Sequence, residues 1–453
     1  MESLEFETKV LNSRNASQMA KGEASAGNKL SHEIIDSEEQ FKSLAINWRD
    51  LAKRAGATIF MTHEWALTWW KHFGRNKRRS LLIVTIWDEE KLVALAPFFK
   101  GFSSLGGLEI EKRLQIIGSG GSPNEQIGYK DDYGISDFLD ILVDDNYTET
   151  VTEILSEIIT SNRLEVDTIT FHQTRNDSYI IQHLYPRLQK AGLNLTLEHT
   201  DTCPYIKLEE FESLKAFIKS KRSSARRRFR QSLKSISPKS DRGNLKLDEL
   251  TTWPEVEKAT ETMIELHQER WNRIGFPGVF YDKRFTNFFR ETVRYAFDNG
   301  WLWFKQIRDE EGVCAARLLL HYNGRYYDYI SGFDETRDSS KHRPGITLLT
   351  EAVRDAIDGG AKTVELLRGQ EGYKYDFTKK DFKNWKLSIN SRERQKVSQK
   401  TVNRLTGVLA LLYKRVTREA RLINVQRLQN GFLKMLPGYI SFRWNSMKMK
   451  MDN

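Results

Sequence analysis

The sequence predicts an α/β (α+β) protein built as two successive blocks, and three observations carry that expectation. Helical and strand-like patterns alternate along the chain, which is the signature of layered α/β architecture. The two blocks share one order of elements, helices first and then a meander of strands with a helix inserted late. The 453 residues are 39% hydrophobic and 11% aromatic, enough to fill two cores, since domains usually run to roughly 100–200 residues. No residue-level repeat accompanies the shared order, so the twin arrangement rests on element order alone.

Residues 1–30 lack periodicity and read as a flexible tail. From Ser31 an N-terminal domain is expected to run to residue 205. Phe41, Leu44, Trp48 and Leu51 recur at helical spacing, with Gly56 as the stop. A second helix follows from Thr62, carrying Trp65, Trp69 and Phe73 on one stripe before Gly74; this stripe reads as core. SLLIVTIW and KLVALAPFF, joined by Asp88-Glu89-Glu90, read as a β-hairpin. Then come LQIIG, FLDILV, a helix near Thr148–Thr160, DTITFH, a helix near Ser178–Ala191 and LNLTLEH.

Residues 206–247 read as a basic helical linker, one long helical stretch through KSKRSSARRRFRQSLKS. A C-terminal domain is expected over 248–395. It opens with helices around Glu255–Arg273 and Asp282–Asn299, followed by the strands WLWFKQIR, VCAARLLLHY and RYYDYISGF. A loop, DETRDSSKHRPG, leads into the helix ITLLTEAVRDAIDGG, the strand KTVELLR and the strand-like FKNWKLSI. Residues 396–453 form a basic tail. Within it Val402, Leu405, Leu409, Leu412, Val416 and Ile423 face one way, and Lys414, Arg415, Arg418 and Arg421 the other, as in an amphipathic helix.

The net charge of +10 is concentrated. Lys219 to Lys246 carries eleven Lys/Arg against Asp241 alone, and Ser391 to Asn453 fourteen against three acids. The remainder is mildly acidic, so a folded nucleic-acid-binding face is not expected. Two cysteines, Cys203 and Cys314, exclude a disulfide scaffold or a Cys-rich zinc fold. The nine histidines show no HExxH or other paired ligand spacing, so no metal is expected. The longest apolar run, Val408 to Tyr413, falls far short of the roughly 20 residues of a spanning helix. The N-terminus lacks a basic and apolar leader, which points to a cytoplasmic protein.

Two local features carry chemistry. At Arg343-Pro344-Gly345-Ile346 a strand and polar loop feed a helix that starts on Pro-Gly. Helix N-termini offer unpaired N–H groups and a positive dipole end to anions, and Ser339, Ser340, Lys341 and Arg343 add donors. An ordinary capped helix start is the alternative reading. No GxxxxGK[ST] is present, which excludes a P-loop NTPase. The second feature is the loop after a short strand, Glu365 through Arg368, Glu371, Tyr373 and Lys374 to Phe377. Here a carboxylate can accept the proton of an attacking amine or hydroxyl, while Tyr or Lys donates to developing charge. A surface loop of solvated charges is the alternative.

Taken in order, Trp48, Thr62-x-x-Trp65-x-x-x-Trp69, Asp132-Tyr133, the Ser223–Arg230 helix, His267-x-x-Arg270-Trp271, Gly332-Phe333-Asp334, Pro344-Gly345-x-x-Leu348-Leu349, Gly360 and Gly372-Tyr373-Lys374-x-x-Phe377 form a pattern. It resembles the CelD-type (cellulose-biosynthesis) branch of the GNAT acyltransferases, related to Fem-type aminoacyltransferases, over about residues 35–390. The resemblance implies twin GNAT-like domains with mixed, largely antiparallel sheets. It implies an acyl-CoA donor, acetyl-CoA first, held at Arg343, Pro344, Gly345 and Ile346, where GNAT proteins hold a pyrophosphate. It places Lys374, Arg368, Arg270 and Trp271 toward the substrate. The complete Gln/Arg-x-x-Gly-x-Gly/Ala loop usual in GNAT proteins is absent.

The expected activity is transfer of an acyl group to an amine or hydroxyl of a sugar, polysaccharide or cell-envelope precursor. Glu365, or Glu371 through water, takes the proton, and Tyr373 or backbone N–H groups stabilise the oxyanion. The expected partners are a small-molecule or glycan acceptor and, through the C-terminal helix, a membrane surface at its inner face or a partner protein. Two other readings stand beside it: a non-catalytic scaffold or peripheral membrane component of polysaccharide assembly, and an RNA-binding module using Arg226–Arg230.

Overall fold

The computed structural model describes residues 30–75, 79–105, 108–120, 135–161, 164–237, 245–273, 278–390 and 440. The tail expected over 1–30, apart from Leu30, which opens a strand, Asp132-Tyr133 and, apart from Ile440, the basic tail from 396 lie outside these residues. The described chain divides into two compact units. Of the described residues, the first takes those within 30–119, 138–199 and 385–390, and the second takes Gly120, 135–137, those within 200–384 and Ile440.

In the first unit β1 (Leu30–Ile35), β2 (Arg79–Asp88), β3 (Lys91–Leu105), β4 (Leu108–Ile116) and β6 (Thr168–Arg175) form a sheet in that order, with β5 (Leu142–Val143) also on β3. All pairings are antiparallel except β4 with β6. The helical face expected from Phe41 to Leu51 folds as α1 (Glu38–Ser43) and α2 (Ala45–Arg54), and Phe41, Trp48 and Leu51 are fully buried. Thr62 caps α3 (His63–Trp69) by accepting from the Trp65 N–H, and a π turn, Trp70–Gly74, continues it. Trp65 and Trp69 are fully buried and Trp70 nearly so; Trp65 meets Phe60 edge-on at 4.8 Å, so the tryptophan stripe is core. Gly74 is required there, because a Cβ would stand 2.1 Å from the Trp70 ring. The expected hairpin turns at Glu89, in the left-handed region at φ 54°. α4 (Thr148–Thr160) and α5 (Tyr185–Lys190) complete this unit.

The second unit holds most of β7 (Asn194–Lys207), then α6 (Leu214–Ser220), α7 (Ser223–Ser235), β8 (Lys246–Glu249), α8 (Trp253–Arg273) and α9 (Lys283–Asp298). β9 (Leu302–Asp309), β10 (Gly312–Tyr322), β11 (Arg325–Phe333), α10 (Pro344–Asp358), β12 (Thr363–Glu365), α11 (Lys374–Phe377) and the part of β13 (Lys380–Asn390) up to Asn384 follow. The sheet order is β13-β7-β12-β11-β10-β9-β8.

The basic stretch read as one long helix is two. It breaks at Lys221 and Arg222, which are extended, with ψ of 161° and 153°. The break lets Arg222 and Arg228 converge on the buried Asp376, at 2.6 and 2.7 Å. Phe217, Ala225 and Phe229 pack with Leu349, Ala352, Val353 and Ala356 of α10 and with Phe377, so these helices build the core of the unit. Burying two phenylalanines there contributes about 2–3 kcal/mol each.

Candidate active site

The site begins with a parting of strands. β10 and β11 pair from Tyr322↔Arg325 out to Ala315↔Phe333, with a bulge between Leu318 and Leu319. β12 runs parallel to β11 but pairs with it only over Arg325–Tyr327. Beyond Glu365 the chain stays with β7 instead: the Leu366 N–H donates to Pro204 O at 2.9 Å and the Gly369 N–H to Thr202 O at 3.2 Å. Between these bonds Leu367 takes a left-handed φ of 56°. Such a conformation in a non-glycine residue costs on the order of 1–3 kcal/mol and is held by its surroundings.

At the far end of β11 the chain enters α10 through a braced loop. Arg337 reaches Asp309 at 2.8 Å and Asp334 at 3.2 Å, and the Ser339 hydroxyl donates to Asp309 at 2.6 Å. Lys341 pairs with Asp338. Ser339 and Lys341, expected as donors toward an anion, are therefore engaged within the loop. Arg343 is left-handed at φ 57° and precedes Pro344 at the first helical position; its carbonyl accepts from the Ile346 and Thr347 N–H groups. Its exposed guanidinium and the Gly345 N–H have no partner among the described residues. A Cβ on Gly345 would meet only the Phe333 ring, at 3.8 Å.

The Arg270 guanidinium lies 4.3 Å from the centre of that Phe333 ring and donates to Glu335 at 2.9 Å. Trp271 stands beside His267, ring centres 5.9 Å apart. Gly332 lets α8 approach β11, since a Cβ there would be 3.0 Å from the His267 backbone nitrogen. Burial of His267 holds its imidazole down at about 4, so it is neutral. Arg270 and the Arg343–Ile346 turn thus meet through Phe333.

The loop after β12 carries the remaining expected residues. Glu365, fully enclosed at the strand end, accepts from the Thr363 hydroxyl at 2.8 Å. Arg368 pairs with Asp137 at 2.6 Å; burial pushes that carboxyl up, against the pull of Arg368. Lys374 is buried. Its ammonium donates to Arg368 O at 2.7 Å, to Leu367 O and Gly369 O at 3.4 Å, and pairs with Glu371 at 2.9 Å. Burial pushes the Tyr373 phenol up to about 12, while the positive charge of Arg317 works the other way.

Arg317 and Asp328 escape the motif reading. They form a bidentate pair at 2.7 and 2.6 Å, both buried, and Arg317 also donates to Gly345 O at 2.8 Å. One signal in the sequence pointed to Arg317: it is the single charge in VCAARLLLHY. Asp137 gave none. Among the described residues no group of three His, Cys, Asp or Glu is placed to hold a metal, and no helix is long and apolar enough to cross a membrane.

Residues 210–375 match the acetyltransferase (GNAT) domain family. FemX has a similar fold at 10% identity, covering 77% of this chain and 96% of its own, with a TM-score of 0.52. The C-terminal domain of a putative lysylphosphatidylglycerol synthetase from Agrobacterium fabrum aligns at 11% identity over 78% of this chain and 93% of its own, with a TM-score of 0.45. A tandem GNAT protein from the clavulanic acid biosynthesis pathway aligns at 9% identity over 80% and 99%, with a TM-score of 0.40. No curated protein matches the sequence. Residues 210–375 are thus similar to a GNAT acetyltransferase domain, which makes that span an acyltransferase domain.

Proposed function

We propose that the protein moves an acyl group from acyl-CoA, acetyl-CoA first, to an amine or hydroxyl of a sugar, polysaccharide or cell-envelope precursor. The observation that carries the donor half is the parting of β11 and β12 beside a helix whose first turn offers a free Gly345 N–H and the unpaired Arg343. The donor phosphates take the α10 start, from Arg343 to Ile346, where the helix dipole favours negative charge. The acyl arm enters between the strands, as an added partner for the backbone that β12 leaves. The envelope or glycan acceptor is supported by the resemblance of the ordered motifs to those of CelD-type and Fem-type proteins.

In this mechanism the acceptor nitrogen or oxygen attacks the thioester carbonyl and forms the new C–N or C–O bond. Its proton goes to Glu365, or to Glu371 through water. The C–S bond then breaks and the thiolate leaves. Tyr373, protonated at neutral pH, donates a hydrogen bond to the oxyanion or the departing sulfur. In this reading Arg368, Arg270 and Trp271 serve the acceptor, and Lys374 shapes the loop by gathering three of its carbonyls. A thermal-shift panel of CoA, acetyl-CoA and longer acyl-CoAs tests the donor. Binding at a hundredfold excess over Kd raises stability by about 2.7 kcal/mol. No shift with any member at millimolar concentration would reject an acyl-CoA donor.

A further inference from the structure

Helix α7 divides its two sides between core and charge. Ala225, Phe229 and Ser232 are buried against α10, where the Thr347 hydroxyl donates to Ser232 O at 3.2 Å. Asp376 fixes the helix further by holding Arg222 and Arg228. At about 3.6 residues per turn, Arg227, Arg230 and Lys234 fall on the opposite side, and all three are exposed. They span about 10 Å of helix. Lys215 and Lys219 are exposed on α6 just before it. None of these five cations pairs with a carboxylate among the described residues. From Ser213 to Ser237 the chain has nine Lys or Arg and no Asp or Glu. Lys215 with Lys219, and Arg230 with Lys234, are like charges four residues apart, a spacing that destabilises a helix. The fold gains nothing from that spacing, which suits an anion outside the chain. Protein interfaces centre on aromatic or apolar anchors, and single-stranded nucleic acid stacks on aromatic rings. No large apolar or aromatic side chain is exposed here: Phe217 and Phe229 are buried, and Phe211 packs against the same core. A lipid headgroup surface needs neither anchor nor register, only cations within its field. We propose that the outer side of α7 docks the protein on an anionic lipid surface by charge alone, without insertion. The proposal concerns attachment and stands apart from the donor reading above.

The test sediments the full chain with phosphatidylcholine vesicles, with and without about 30% phosphatidylglycerol to supply the negative surface. Each cation near such a surface strengthens binding by about fivefold, so Arg227→Gln/Arg230→Gln/Lys234→Gln should weaken it about a hundredfold. Tm should stay unchanged or rise slightly, because like charges are being removed. Arg227→Lys/Arg230→Lys keeps the charge but loses the planar fork, and it should bind the anionic vesicles as the native protein does. At about 1 M salt the difference between the native protein and the glutamine variant should vanish. Residues 396–453 stay in every variant, so any attachment they provide is common to all. Native affinity in the glutamine variant, or no preference of the native protein for anionic vesicles, would overturn the proposal. A Tm lowered by several degrees in that variant would return the face to a structural role. Binding to a single-stranded or duplex RNA oligonucleotide in place of the vesicles, lost in the lysine variant, would assign the face to nucleic acid instead.

Discussion

Replacing Gly345 separates the stability of the α10 start from its use as an anion site. The Gly345 backbone is outside the left-handed region, and an added Cβ meets Phe333 at an ordinary 3.8 Å. Gly345→Ala therefore enters without strain and should gain about 0.5–1 kcal/mol from helix propensity. Gly345→Glu also suits the fold, because a carboxylate in a first helical turn contributes about 0.3–1 kcal/mol. Both variants should melt at or slightly above the native temperature. Their effect on the donor is opposite. A carboxylate about 5 Å from a phosphate, at an effective dielectric of roughly 20–80, costs about 1–3 kcal/mol, which is about 5- to 150-fold in Kd. Titration calorimetry with CoA measures this directly. Repeating it at about 1 M salt, where screening acts within about 3 Å, should shrink the Glu penalty and leave the smaller steric loss of Ala. A folded Gly345→Glu protein that binds CoA as tightly as the native protein would remove this turn from the donor site.

Glu365→Gln should lower kcat by roughly 10²–10⁴ with little change in Tm, because Thr363 can donate to an amide oxygen as it does to the carboxylate. A lower Tm with unchanged turnover per folded molecule would move the base to Glu371. The buried His267 should make the protein acid-sensitive. Its folded value of about 4 lies below the free value near 6.5, so the unfolded chain takes up the proton first. The stability of the neutral, buried ring is fully present above about pH 6.5 and falls away toward pH 4, by about 3 kcal/mol at most. Urea unfolding at several pH values should show that slope in the native protein and a flatter one in His267→Gln. Equal slopes would refute the assignment.

The elements that sequence made legible are those whose signals are local. Thr62 ahead of a tryptophan stripe, and Pro-Gly at the head of an apolar helix, announce themselves within a few residues. The halves of the site that pair across distance were not. Arg368 needs Asp137, and α7 needs Asp376, so no window of adjacent residues contains either relation. The break between α6 and α7 was missed for the same reason, because the cause is a buried carboxylate far along the chain. Lys374 was read as facing substrate, whereas its burial and its three loop carbonyls become visible only once the chain after Glu365 turns away from β11.

β12 has only three residues, and half of its backbone pairing comes from β7, through Thr363↔Lys207 and Glu365↔Tyr205. The matched span begins at residue 210, just after that partner strand ends at Lys207. Excising residues 210–375 would strip Glu365 of its neighbour and leave the Leu366–Gly369 segment without the carbonyls of Pro204 and Thr202. The smallest piece able to fold around this carboxylate must then start earlier than the matched span. The same separation orders the assembly. The β9–β10–β11 meander closes short loops and can form first, whereas β12 must wait for a strand some 160 residues upstream. On the proposed role of Glu365, the end of the sheet that carries it waits for this long-range pairing, so partial unfolding should abolish activity before the helical signal falls.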